Sequence, residues 1–173
     1  RQRPELHSVE CSFKSADSIA LTQAKREGDE MLLQRQRVLV YECDVTKRTS
    51  YVIPAGIEWS PADRDEVLTL FAHDIRRRIR FLSFLRNGFS GVFLFEGSRW
   101  ISYCWTSKPS VLGPPHLPRS IQQKQVYWFF YAHTREEFRG RGFQKITLGM
   151  LANQVLRENQ NARIYADMPR VIF

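Results

Sequence analysis

The chain has 173 residues and a mass of 20.4 kDa, which is the size of a single domain. Its composition of 43% hydrophobic, 13% aromatic and 25% charged residues excludes intrinsic disorder, collagen and a simple coiled coil. The longest run without a polar side chain, residues 126–132, is much shorter than the roughly 20 residues of a membrane helix, so we expect no membrane partner.

The cysteine content and the net charge indicate the cellular location and the kind of partner to expect. Cys11, Cys43 and Cys104 are odd in number and widely spaced, which suits neither a disulfide framework nor a zinc site. We therefore expect a reducing, cytoplasmic location and no metal. The net charge of +8 favours an anionic partner, which by charge alone is a nucleic acid, a membrane surface or a phosphorylated cofactor.

The N-terminal part of the chain is predicted to be helical. Residues 15–33 contain many helix formers and are interrupted at Gly28 and Asp29, which indicates one broken helix or two short ones. We assign residues 1–36 to this helical extension. Residues 38–43 are β-branched and aromatic enough to form the next strand.

A helix is predicted to begin at Ser60. Ser60 can cap it, Pro61 suits the first helical position, and Asp63 lies near the positive end of the helix dipole. The helix is expected to break at residues 73–74 and to end at residues 87–88. The apolar residues of its second part are Ile75, Ile79, Phe81, Leu82 and Leu85.

The C-terminal half is predicted to be mainly sheet. Residues 91–95 and 100–105 form a hairpin, because a short turn joins two strand-like runs. Residues 126–133 form an uninterrupted apolar strand, as expected when both faces are buried. A helix over residues 143–159 and a strand over residues 162–168 follow.

A long loop precedes the apolar strand. Four prolines and a glycine lie between Lys108 and Arg119, so this segment cannot form regular structure. Ordered loops of this length often shape a site.

A glycine-rich basic turn stands between the apolar strand and the next helix. Gly140 and Gly142 allow backbone amides to approach an anion at the positive end of the helix dipole, and Arg139, Arg141 and Lys145 add charge. The turn lacks the spacing of a Walker A loop or of a dinucleotide-binding fingerprint. It suits a diphosphate.

The turn resembles the acyl-CoA loop of the GNAT superfamily of N-acetyltransferases. This loop has Arg or Gln, then any two residues, Gly, any one residue, and Gly or Ala. Residues 139–143 match that pattern in order, whereas Gln144 departs from it, since Gly or Ala is usual there. The surrounding hairpin, buried strand, helix and strand follow the family's order over residues 37–173. The resemblance implies an α/β fold with a mixed central sheet flanked by helices.

The resemblance also implies roles for individual residues. The end of the buried strand would offer backbone groups to the pantetheine arm of acetyl-CoA or another acyl-CoA, and the turn would hold the diphosphate. An amine, either a small molecule or a peptide, would then attack the thioester directly. The implied cofactor-binding residues are Ala132, His133, Thr134, Arg139, Gly140, Arg141, Gly142, Phe143, Gln144 and Lys145.

Two catalytic groups of the family have no clear counterpart. Many relatives carry a glutamate early on the fourth strand, but residues 125–127 contain no carboxylate, so Glu96, His116 and His133 are the candidates for the general base. The usual tyrosine acid follows the fifth strand, where this chain ends. We therefore expect a truncated C-terminal part, which a homodimer could complete by exchange.

Other functions stay open from the sequence. The chain could be a non-catalytic acyl-CoA-binding module, because the base and acid are unassigned. It could also bind nucleic acid through Arg76, Arg77, Arg78 and Arg80, although a solvated helix face explains this cluster better. Tyr165 suits either an acceptor site or the core, and Cys104 is expected to be a buried small hydrophobe.

Overall fold

The computed structural model describes residues 7–9, 12–27, 30–44, 48–50, 53–111, 119–123 and 125–169. In this part of the chain the strands and helices follow in the order β1 (His7–Val9), β2 (Ser12–Glu27), β3 (Glu30–Asp44), β4 (Arg48–Ser50), β5 (Glu58–Pro61), α1 (Arg64–Leu70), α2 (Ile75–Arg86), β6 (Ser90–Glu96), β7 (Arg99–Thr106), α3 (Arg119–Gln122), β8 (Tyr127–Thr134), α4 (Phe143–Glu158) and β9 (Ile164–Pro169).

The central sheet is mixed, as the resemblance implies. Among the described strands its order is β2-β3-β9-β8-β7-β6-β5, and β1 pairs separately with β4. Each neighbouring pair in the large sheet is antiparallel except β8 and β9, which are parallel. Helix α4 connects this parallel pair.

Two apolar clusters cover the two faces of the sheet. Val92 and Leu94 of β6 belong to the cluster that includes the buried residues of α4, whereas Phe93 belongs to the cluster of α1 and α2. Because successive side chains of a strand point to opposite faces, α4 lies on one face of the sheet and the α1–α2 pair on the other. The prediction of a sheet flanked by helices is confirmed.

The predicted N-terminal helices are wrong. Residues 12–27 and 30–44 form β2 and β3, which are paired along their length with Ile19 opposite Val38 and Glu27 opposite Glu30. Helix propensity is a weak preference that strand pairing overrides. The division of the chain at residue 36 stays a prediction, and β3 runs across it.

Helix α1 begins later than predicted. Ser60 and Pro61 end β5, where they pair with β6, and Asp63 is the cap, its carboxylate accepting from the Glu66 amide at 2.8 Å. The predicted break is confirmed, because Asp74 caps α2 by accepting from the Arg77 amide at 3.0 Å.

Helix α2 buries a narrower face than its apolar residues suggest. Phe81 is fully buried, whereas Ile75 and Ile79 are 60% and 61% exposed. At 100° per residue, positions two and six before Phe81 lie on the far side of the helix. The two isoleucines therefore contribute little to the core.

The predicted hairpin, the helix after the glycine turn and the last strand are confirmed as β6–β7, α4 and β9. Strand β8 is also confirmed, but only its first half is buried on both faces. Tyr127, Trp128 and Phe129 are buried, whereas Tyr131 and Ala132 are exposed. Residues 112–118 of the predicted proline-rich loop lie outside the described residues.

Candidate functional site

Strands β8 and β9 stop pairing halfway along β8. Their parallel register runs from Tyr127 opposite Ile164 to Phe129 opposite Ala166. Beyond this point β8 continues to pair only with β7 among the described strands. The sheet therefore splits at the C-terminal half of β8 and leaves its edge toward β9 unpaired.

A β-bulge lies at the same place. Trp105 is opposite Phe130 and Tyr103 is opposite His133, so Tyr131 and Ala132 together face one residue of β7. Tyr131 has a φ of 49°, a conformation that costs energy in a residue with a side chain. Bulges redirect side chains and are frequent beside binding sites.

The glycine turn has the geometry of an anion cradle. Gly140 and Gly142 have φ values of +76° and +79°, and a Cβ added at either would meet nothing within 4 Å. Gly142 is the cap of α4 and has no side chain to accept from the helix amides, and the first turn carries no acidic residue. The amides at this helix end are therefore available to an anion.

The turn is held in place by Phe138. This side chain is 8% exposed and packs edge-on against Phe143 with ring centroids 6.0 Å apart. The guanidinium groups of Arg99 and Arg141 lie 5.1 and 5.7 Å from its ring. Arg99 also pairs with Glu137 at 2.6 Å, which links the turn to the β6–β7 hairpin.

The strand end and the turn enclose a cavity of about 280 Å³. All the predicted cofactor-binding residues except Arg141 and Lys145 line this cavity. Phe138, which the sequence analysis did not include among them, is an additional lining residue. The lining residues are Ala132, His133, Thr134, Phe138, Arg139, Gly140, Gly142, Phe143 and Gln144.

A chain of three polar side chains crosses from β7 to α4 at the cavity wall. Ser102 and Thr134 are buried and their hydroxyl oxygens are 3.0 Å apart. Thr134 donates its hydroxyl proton to the Gln144 side-chain oxygen at 2.8 Å. Gln144, which departs from the expected loop pattern, is thus hydrogen-bonded to the end of β8.

His133 lies between the cavity and the aromatic side chains of β7. Its ring stacks on Tyr103 at 5.8 Å and lies 5.9 Å from Trp100. Burial lowers the pKa of His133, and the positive charges of Arg77 and Arg139 lower it further. The imidazole is therefore neutral at neutral pH and can accept a proton.

Two arginines of α2 belong to this aromatic surface. Arg77 donates to the Tyr103 hydroxyl at 3.1 Å, pairs with Asp74 and lies 5.1 Å from the Trp100 ring. Arg80 hydrogen-bonds the Tyr131 hydroxyl and lies over its ring. Arg77 is half-buried, so a solvated helix face does not describe it, whereas Arg76 and Arg80 are exposed, as that interpretation expects. Sequence reasoning missed the contacts of Arg77 and Arg80 because their aromatic partners lie on strands distant in the sequence.

Glu96 and His116 are the other two candidates for the general base. Glu96 is exposed at the end of β6 and is not among the residues that line the cavity. His116 lies outside the described residues. His133 alone of the three is both described and part of the cavity lining.

Two further residues belong to the core. Tyr165 is 1% exposed, packs edge-on against Trp128 and accepts from Arg163 at 2.6 Å, which supports the packing interpretation. Cys104 is fully buried, as predicted, and burial raises the pKa of its thiol far above its usual range. This thiol stays protonated and cannot act as a nucleophile.

The described ranges contain neither a membrane-crossing helix nor a cluster of metal-ligating side chains. No helix there combines the length and the apolar content needed to cross a bilayer. The same residues include no group of three or more His, Cys, Asp or Glu side chains arranged to hold a metal ion.

Known proteins resemble this chain in structure and not detectably in sequence. No family model matches it, and no curated protein is significantly similar to it. A predicted acetyltransferase from Clostridium acetobutylicum, solved with acetyl-CoA, is 14% identical, with a TM-score of 0.48 over 66% of this chain and 82% of its own. A GCN5-related N-acetyltransferase from Ralstonia eutropha JMP134 is 18% identical, with a TM-score of 0.45 over 66% and 85%.

A third solved structure is the ribosomal-protein-alanine N-acetyltransferase from Brucella melitensis biovar Abortus 2308. It is 15% identical, with a TM-score of 0.45 over 66% of this chain and 82% of its own. The mixed sheet flanked by helices and the glycine turn that opens α4 are the features that the sequence resemblance implies. The described part of the chain therefore has the α/β architecture expected from that resemblance.

Proposed function

We propose that the protein is an acyl-CoA-dependent N-acyltransferase that moves an acetyl or other acyl group from CoA to an amine. One observation carries this proposal: the cavity that joins the end of β8 to the glycine turn of α4. Its polar backbone groups and its basic rim fit a long donor with a diphosphate in the middle.

The donor would lie along two walls of the cavity. The amides from Gly140 to Lys145 would hold the diphosphate, since the cap glycine leaves the first helix amides without a side-chain partner. The unpaired edge of β8 would receive the pantetheine arm, because β8 no longer pairs with β9 beyond Phe129 and Ala132 and His133 line the cavity there. Extended chains bind sheet edges in this way.

The chemistry would be a direct transfer. The amine nitrogen attacks the thioester carbonyl carbon, its proton passes to a base, and the carbon–sulfur bond breaks to release CoA as a thiolate that is then protonated. A covalent enzyme intermediate on cysteine finds no support at Cys104, which is buried and protonated. The other described cysteine, Cys43, is also buried.

His133 is the general base that we infer. It lines the cavity at the bulge of β8, and its lowered pKa keeps the imidazole in the form that accepts a proton. The nearby Arg77 and Arg139 that lower this pKa also favour the developing negative charge of the tetrahedral intermediate.

The test is release of the CoA thiol from acetyl-CoA with a panel of small amines and peptides with free N-termini. We expect turnover with the wild-type protein and a loss of about 10²–10⁴-fold in kcat/KM for His133→Gln. Glu96→Gln, outside the cavity, is the matched control and should retain activity. CoA-dependent stabilisation without thiol release for any amine would instead make the protein a binding module.

A further inference from the structure

We propose that the side-chain amide of Gln144 is a direct ligand of the donor's diphosphate, and that Ser102 and Thr134 orient it for this role. The inference rests on the proposed function. It assigns a binding role to the one residue of the turn that departs from the expected loop pattern, where Gly or Ala is usual.

Gln144 stands at the place where an anion would enter. It is the second residue of α4 and lines the cavity together with Gly140 and Gly142. A side chain at this position extends beside the exposed helix amides. It therefore either obstructs the diphosphate or binds it, and the direction of its amide group decides which.

The hydrogen bonds fix that direction. A hydroxyl has one proton to donate, and Thr134 gives its proton to the Gln144 oxygen. The proton between the other two hydroxyls must then come from Ser102, so the chain runs from Ser102 to Thr134 to Gln144. Both hydroxyls are buried. The reverse direction would have the Gln144 nitrogen donate to Thr134 and Thr134 donate to Ser102, and it would leave the buried Ser102 proton without an acceptor among the contacts of the described residues.

The nitrogen end of the amide is therefore the end available to a ligand. Within the described part of the chain the Gln144 nitrogen has no hydrogen-bond partner, and the side chain is half-buried at the cavity wall. Its two N–H groups would add to the helix amides. Arg139, which donates to the Thr134 carbonyl at 3.3 Å, brings positive charge to the same end of β8.

A purely structural role makes different predictions. If the Thr134–Gln144 bond only fastened β8 to α4, any replacement that keeps an acceptor for Thr134 would preserve the site. Gln144→Glu keeps that acceptor but removes the N–H donors and adds a negative charge. A carboxylate there repels the diphosphate under either role, so Gln144→Ala decides between them. A ligand role predicts weaker CoA binding by Gln144→Ala at unchanged ligand-free melting, whereas a fastening role predicts a lower melting temperature.

The experiment is calorimetric titration of CoA into the full chain and five variants. Gln144→Ala should raise the Kd by about tenfold, as expected for a lost hydrogen bond to a charged group, and Gln144→Glu should raise it further. Thr134→Val, which releases the amide, should weaken binding, and Thr134→Ser should restore it. The exposed Gln123→Glu is the matched charge control and should bind CoA as the wild type does.

Melting temperatures without ligand separate binding from folding. The proposal requires weaker binding by Gln144→Ala and Gln144→Glu with ligand-free melting close to that of the wild type. An unchanged Kd for Gln144→Ala, or equal losses for Thr134→Val and Thr134→Ser, would overturn it. A folded wild-type chain that does not bind CoA would refute the proposed function itself, and the role of Gln144 with it.

Discussion

The protonation of His133 connects its surroundings to the proposed chemistry. Burial is the first cause of its lowered pKa, and the charges of Arg77 and Arg139 add to it. A base is active in its unprotonated form, so a lowered pKa extends the active range to more acidic pH. We expect kcat/KM to stay level as the pH falls through 6.5, the ordinary value, and to decline only below it.

The same group makes stability depend on pH. Below pH 6.5 the unfolded chain takes up a proton at His133 before the folded chain does, so the free energy of unfolding falls as the pH is lowered toward the folded-state pKa. His133→Gln should remove this contribution. Urea unfolding of both proteins at pH 7.5 and pH 5.5 measures it, and an equal pH dependence in the two would contradict the shift.

Gly91 is required by a close approach within the sheet. It lies opposite Trp105 in the β6–β7 pair, and a Cβ added there would come within 2.8 Å of the indole ring. Trp105 is fully buried and cannot move aside easily. Gly91→Ala should therefore destabilise the fold by about 1–3 kcal/mol, as overpacked cores do.

Chemical denaturation tests this expectation. Ser90→Ala, next to it on the same strand, is the control and should change stability by less than about 0.5 kcal/mol. A Gly91→Ala variant as stable as the wild type would show that the indole can be displaced at no cost.

Part of the site could be predicted residue by residue, and part could not. The glycines of the turn and the residues at the end of β8 were predictable because they are consecutive in the chain and their backbone roles are local. The contacts of Arg77 with Tyr103 and of Arg80 with Tyr131 join residues 26 and 51 positions apart. No local pattern encodes such pairs.

At the scale of elements, α2 shows how periodicity separates core from surface. Phe81 packs against Phe71, Phe93 and Trp105 with centroid distances of 4.8, 5.9 and 5.1 Å, whereas Ile79 is largely exposed. Phe81→Ala should cost about 3–5 kcal/mol of stability. Ile79→Ala, two residues away on the same helix, should change stability by less than about 0.5 kcal/mol.

Thermal and urea unfolding of Phe81→Ala and Ile79→Ala compare the buried and the exposed face of α2 directly. Similar losses from both substitutions would contradict the placement of α2 on the sheet.

The elements that sequence reasoning predicted well are those whose pattern is local. The β6–β7 hairpin has a short turn between two apolar runs, and α4 follows a glycine cap. The composition of the N-terminal segment suits helices and led to a wrong prediction there, while β2 and β3 pair with each other and β3 also pairs with β9. Amino-acid composition does not indicate which strands pair.

At the scale of the whole molecule, the sheet brings the proposed donor site and the proposed base together. The parallel β8–β9 pair separates after Phe129, and the bulge beside the split places Ala132 and His133 at the cavity. The α4 helix begins at the same end of the sheet with its glycine cap. The net charge of +8 favours the approach of an anionic donor, and Arg139 adds positive charge at the cavity itself.

The central claim is that this cavity binds the acyl donor through the glycine turn. The most direct test is calorimetric titration of acetyl-CoA into the wild-type chain and into the double variant Gly140→Ala/Gly142→Ala, with ligand-free melting as the check on folding. We predict saturable binding by the wild type and a loss of at least about tenfold in the double variant, because both positions require a positive φ. No binding by a folded wild-type chain, or unchanged binding by a folded double variant, would contradict the account.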